Sequence, residues 1–167
     1  MRKSKATQSV LLKKKHYKQE LRASCVPAAA RMVLEYLGIA VENEAFLRRI
    51  LKTKASGTNI PNLLYLQDEK FWQLDVHLLR GTMTELTSKL SKEKIPVIVV
   101  VETGPLPHWH ESTAHVMLVV GYDQKNIIVN DPNFETDEIK VPIGRFQEAW
   151  SSFQNLMVTI KRLGVVN

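Results

Sequence analysis

A thiol, an imidazole, a carboxylate and a side-chain amide stand in this chain at positions from which they could act as one set. Cys25 is the only cysteine among 167 residues, and it follows Ser24, a natural helix N-cap. As the first residue of a helix it would meet unpaired backbone amides and the positive end of the helix dipole, which favour thiolate over thiol. A core thiol, placed more naturally in mid-helix or mid-strand, is the competing reading on position alone. His115 lies at the start of the strongest strand candidate, between Ala114 and Val116. From a sheet face or edge its imidazole can meet a helix N-terminus; a histidine hydrogen-bonded within the core is the alternative. Asp131 ends the next strand candidate and precedes Pro132, so its backbone is biased toward extended geometry. A hairpin of 114–122 with 126–131 returns position 131 beside 115 or its near neighbour, where a carboxylate would orient the imidazole and support an imidazolium. Alone, an Asp before Pro is a turn residue. Gln19, six residues before Cys25, brings an amide that could join the Cys25 backbone N–H against a developing oxyanion; otherwise it is a surface glutamine.

A second group, His108, His110, Glu111 and His115, sits in the stretch HWHESTAH. Histidines 108 and 110 would share a strand face, and His110, His115 and one further ligand could form a metal site. Pro105, Pro107 and Trp109 favour instead a loop bordering the cleft, with a solvated loop as the remaining reading.

The elements that must position these groups follow from periodicity. Apolar residues at 26, 29, 30, 33, 34 and 37 form a helical stripe after Ser24, with Pro27 in the first turn and Gly38 as the C-terminal stop. Further helices are expected over 42–51, over 61–69 with Asn59 as cap, and from Thr82 to about Leu90, where Thr82 and Glu85 make a capping-box pattern. Residues 73–79 read as a strand. The second half changes period: 95–101, 114–123, 126–132, 136–141 and 156–163 are strand candidates, residues 142–150 a short helix, and 123–126 a tight reversal. Trp72, Phe146, Trp150 and Phe153 read as packing residues. Helices first and an antiparallel sheet second make an α+β fold, with a helical layer packed on a curved sheet.

Composition sets the limits. The chain is 44% hydrophobic and 24% charged, ordinary for a globular domain able to bury a core. The net charge of +6 resides in residues 1–18, which hold seven Lys or Arg and no acid; the other 149 residues carry sixteen basic and seventeen acidic groups. We therefore divide the chain into a basic N-terminal arm, 1–18, free to be flexible, and one domain, 19–167. A solvated arm is the preferred reading over contact with nucleic acid or an anionic surface, since no zinc-finger spacing, phosphate-binding glycine loop or RNA-binding strand pattern accompanies it. The apolar patch Val10–Leu12 is too short for a signal peptide, and no apolar run reaches eighteen residues. A cytoplasmic location is the expectation.

Three stretches, QELRASCVPAA at 19–29, AHVMLVVGYD at 114–123 and NDP at 130–132, resemble the papain-like bacteriocin-processing peptidases and their stand-alone relatives, the C-thirty-nine-like peptidases. The resemblance runs in order and spacing from about residue 16 onward. It implies a papain-like fold with an N-terminal helical lobe bearing the nucleophile, packed on a C-terminal antiparallel sheet bearing the histidine and aspartate. It also implies a triad of Cys25, His115 and Asp131, with Gln19 lining the oxyanion hole. The substrate would be a peptide or protein, and neither cofactor nor metal is called for. Family members fused to exporters cut leader peptides after a double glycine. This chain has no transporter or nucleotide-binding region, and Ser24 and Val26 replace the Asp and Gly that often flank the nucleophile there. The resemblance thus carries the chemistry further than the substrate. Acyl transfer, isopeptide cleavage and a catalytically silent peptide-binding module are the other outcomes this scaffold allows.

Overall fold

The computed structural model describes residues 9–164. Within them lie seven strands: β1 (Val10–Leu11), β2 (Leu74–Arg80), β3 (Val97–Glu102), β4 (Ala114–Tyr122), β5 (Asn126–Asn130), β6 (Ile139–Pro142) and β7 (Leu156–Arg162). Four α-helices accompany them: α1 (Cys25–Tyr36), α2 (Glu44–Ile50), α3 (Met83–Ser91) and α4 (Ile143–Ser151). A 3-10 helix covers Ile60–Asp68. The sheet runs in the order β2-β7-β3-β4-β5-β6, with β1 also pairing to β4. All of its ladders are antiparallel.

Both faces of the sheet are covered, which explains why β3 and β4 are almost continuously apolar rather than alternating. Ile98, Val100, Val116, Leu118 and Val120 pack beneath α1, α2 and the 3-10 helix, through Met32, Val33, Leu34, Leu47, Leu63 and Leu66. On the other face Val97, Val99, Val101, Met117 and Val119 pack against Leu86 and Leu90 of α3 and Phe146 and Trp150 of α4. The helical lobe therefore covers one face, while α3, which comes before β3 in the chain, lies on the other. Phe146 and Trp150 are fully buried, and the Trp150 indole N–H donates to the Leu156 carbonyl at 2.9 Å. Trp72 meets Phe46 edge-on at 6.0 Å, and Phe153 packs against the α1-side core.

Local chemistry explains the boundaries. Thr82 Oγ1 accepts from the Glu85 N–H at 3.1 Å and Asn43 Oδ1 from the Phe46 N–H at 2.9 Å, so α3 and α2 begin on side-chain caps. Gly38, with φ of 83°, ends α1 in the left-handed region. The Asp123 carboxylate accepts the N–H groups of Lys125 and Asn126 at 2.9 and 2.8 Å, closing the β4–β5 reversal. The expected α-helix over 61–69 is a 3-10 helix. Its buried residues, Leu63 and Leu66, are three apart and so stack on one edge at three residues per turn. Asn59 makes no side-chain cap there.

The segment expected to form a basic arm divides at its middle. Residues 1–8 lie outside the described residues. From Val10 onward the chain runs against the domain: β1 pairs with Tyr122 and Gly121, and Leu12 is buried. Lys14 Nζ meets Glu138 at 3.0 Å, and Tyr17 lies under the Arg31 guanidinium at 3.9 Å. Gly121 permits this approach, since a Cβ there would stand 2.2 Å from the Val10 carbonyl oxygen.

Candidate active site

The nucleophile candidate stands where local sequence puts it. Cys25 is the first residue of α1 and half-buried. Ser24, expected to cap the helix, does not reach its first-turn amides. Its hydroxyl instead accepts from the Leu21 N–H and donates to the Leu21 carbonyl, both at 3.0 Å, closing a turn over 21–24. The first-turn N–H groups of α1 are thereby left to polarise whatever sits beside the thiol. The same loop is clamped from α2. Glu44, only 1% exposed, accepts from the Glu20 N–H at 2.8 Å and from Arg48 at 2.5 Å, while Arg48 also reaches Glu20 at 3.2 Å. A buried carboxylate is tolerable there because each oxygen has a donor.

His115 and Asp131 are brought together by strand register. Leu118 pairs with Asn130, so the next step outward sets Asp131 across from Met117 and one diagonal from His115, on the same face of the sheet. The distance from His115 Nε2 to Asp131 Oδ1 is 2.6 Å. The other ring nitrogen, Nδ1, is left for Cys25. Cys25 comes from α1, on the opposite face, and meets the imidazole at the exposed start of β4. Burial lowers the His115 pKa, but hydrogen bonds to Asp131 and Cys25 and the charges of both outweigh it, leaving it raised to about 9.

Asp131 is completely buried and has four donors. Oδ1 accepts from His115 and from the Asn133 N–H at 3.0 Å; Oδ2 accepts from His108 Nε2 at 2.9 Å and Trp109 Nε1 at 2.7 Å. Burial pushes its pKa up, yet the bonds from His108, His115 and Trp109 and the His115 charge hold it well below the usual carboxylate range. The Trp109 ring also lies 4.7 Å from that of His115, covering the imidazole–carboxylate bond.

His108 and Trp109 are thus part of the site, a role the sequence reading did not give them. The available signal was the pair of prolines, 105 and 107, which fold the β3–β4 connection back over the strand ends. Gln19, Cys25, His108, His110, His115 and Phe134 line a cleft of about 650 Å³, so this loop does border it. Of the residues weighed as metal ligands, His115 is bonded to Asp131 and His110 is exposed, and among the described residues no group of three His, Cys, Asp or Glu side chains is placed to hold an ion.

Gln19 is in the cleft but differently engaged than expected. Its Nε2 donates to the Leu21 and Arg22 carbonyls at 2.9 and 2.8 Å, while its Oε1 is buried without a partner. Its backbone N–H donates to the Pro132 carbonyl at 2.7 Å, tying the loop before Cys25 to the loop after Asp131.

Comparison with known proteins gives the family and the fold. The family model described as Peptidase_C39 like family matches residues 11–158. A solved structure assigned as a C39-like peptidase from Bacillus anthracis is 18% identical with a TM-score of 0.72, over 93% of this chain and 98% of that one. The peptidase domain of Streptococcus ComA, a bifunctional ABC transporter of a quorum-sensing pathway, is 21% identical with a TM-score of 0.67, over 89% and 98%. A double-glycine-motif protease from an AMS/PCAT transporter, solved with its leader peptide, is 21% identical with a TM-score of 0.68, over 92% and 94%. No curated protein matches. The fold is that of these papain-like peptidase domains.

Proposed function

Because the chain belongs to the Peptidase_C39 like family, we propose that it is a cysteine peptidase that hydrolyses a peptide amide through a thioester, with Cys25 as nucleophile, His115 as acid and base, and Asp131 as orienter. The observation that carries this reading is the chain of contacts from Cys25 through His115, both of which line one cleft, to the buried Asp131 behind the imidazole. His115 takes the Cys25 proton, and the thiolate attacks the carbonyl carbon. As the C–N bond breaks, His115 returns that proton to the departing amine. His115 then removes a proton from water, which attacks the thioester; the C–S bond breaks and the thiolate leaves.

Oxyanion stabilisation comes from the Cys25 backbone N–H and the helix end behind it. Gln19 contributes a second donor by turning one N–H from the Leu21 or Arg22 carbonyl toward the oxyanion. The substrate is a peptide or protein, in keeping with the leader peptide bound by one structural neighbour.

The test is selective alkylation with iodoacetamide at mildly acidic pH, where an ordinary thiol is protonated and slow. Fast labelling of Cys25, lost in His115→Ala, together with peptide cleavage abolished in Cys25→Ser, is the expected result. Slow labelling of the folded protein, or full cleavage activity in Cys25→Ser, would overturn the mechanism.

A further inference from the structure

A second hollow of about 580 Å³ lies across the 21–24 turn from the thiol. It shares Arg22, Ala23 and Ala55 with the catalytic cleft, so a chain crossing Cys25 can continue into it along the surface. Its charge is one-sided: Arg22, Arg48, Arg49, Lys52 and Lys54 line it, and no acid does. Arg48 is neutralised by Glu44 and Glu20. Among the described residues the other four make no salt bridge. Arg49 leans on the Phe46 ring, and Lys52 on Tyr65, neither of which cancels the charge. Arg48 and Arg49 suit the last turn of α2, but that does not account for Arg22 and Lys54. Nor is this general basicity, because residues 19–167 carry one more acid than base.

We propose that this hollow is a substrate subsite for an acidic peptide segment, whose carboxylates meet Arg22, Arg49, Lys52 and Lys54 while Leu21, Ala45 and Ala55 take its aliphatic stems. It rests on reading the adjoining cleft as a peptidase site. The hollow then selects substrates with Asp or Glu a few residues from the cleaved bond. Opposite charge there also speeds capture, an effect that salt suppresses.

The experiment is fluorescence anisotropy of labelled hexaglutamate, with hexaglutamine as control, on the full chain at low and physiological salt. Wild type is expected to prefer hexaglutamate, with the preference falling as salt rises. Arg49→Gln with Lys54→Gln should weaken binding about tenfold, from the worth of two exposed charge pairs each near the upper end of their range, and Arg49→Glu with Lys54→Glu by more, because reversal adds repulsion. The neutral pair guards against a folding defect in the reversal. Binding unchanged in both double variants would assign it to residues 1–18 and overturn the proposal. So would equal binding of hexaglutamine, or displacement by inorganic phosphate at the peptide's own concentration. Hexaglutamate binding as expected beside a Cys25 that alkylates slowly in acid would instead overturn the peptidase reading and leave the subsite standing.

Discussion

Cys25, His115 and Asp131 form a graded series of burial, from a half-buried thiol to a carboxylate with no exposure, and that gradient assigns them different sensitivities. Cys25→Ser changes little volume, so the variant should fold as wild type and lose cleavage. Asp131→Asn should lower kcat by about 10²–10⁴-fold, because the imidazole loses the charge that supports its protonated form and an amide NH2 is set against N–H donors that now meet a carboxylate oxygen. The His115 pKa, raised to about 9, should set an alkaline limb of kcat/KM near that pH, and Asp131→Asn should move the limb downward. The same shift bears on stability: stabilisation from protonated His115 is full below its unfolded value of about 6.5 and is lost as pH rises through about 9. Asp131 is depressed, so its contribution is present above the ordinary carboxylate value and lost as acid protonates it. Denaturant melts across pH, comparing wild type with each variant, check both signs. Trp109→Phe keeps a ring but removes a donor to a buried charge and should cost about 1–3 kcal/mol in the same melts. Cys25 and the Asp131 carboxylate were legible as types and spacing, whereas the His108 and Trp109 donors depend on how a loop folds back.

Strands and helices show where periodicity suffices. α1, β2, β3, β4, β5, α4 and β7 all fall within a few residues of the positions their apolar spacing predicts. β1 escaped notice because two strand residues between a polar stretch and three lysines carry no period; pairing with β4 defines it. Gly121→Val should push the Val10 carbonyl away, detach β1 and cost about 1–3 kcal/mol as an overpacking defect. Hydrogen exchange at Leu12, whose N–H is bonded to the Val120 carbonyl, should rise in that variant. Thr82→Ala removes the α3 cap and should cost about 1 kcal/mol in a thermal or denaturant melt.

Across the molecule, one sheet separates two cores, and each supports a different part of the site. The α1-side core holds the helix that presents Cys25; the α3–α4 side shares its face of β4 with His115. Truncation of the buried Leu34 to Ala should cost about 2–5 kcal/mol and of Trp150 to Ala about 3–5 kcal/mol, both read by denaturant melts. Among the described residues no helix is long and apolar enough to cross a membrane.

Cys25 stood out at the start as a lone thiol behind a serine, and much about it was already set in the linear order of residues. Helical spacing after Ser24 makes it a first-turn residue, and strand spacing with a tight Asp123–Asn126 reversal puts His115 and Asp131 on one face, because both are short-range consequences of backbone period. Long-range packing decided the rest. His108 and Trp109 fold over Asp131, and the Gln19 backbone N–H bonds to the Pro132 carbonyl. Such contacts join positions brought together by two cores on opposite faces of a sheet, and a hydrogen bond between distant segments leaves no periodic trace in either of them.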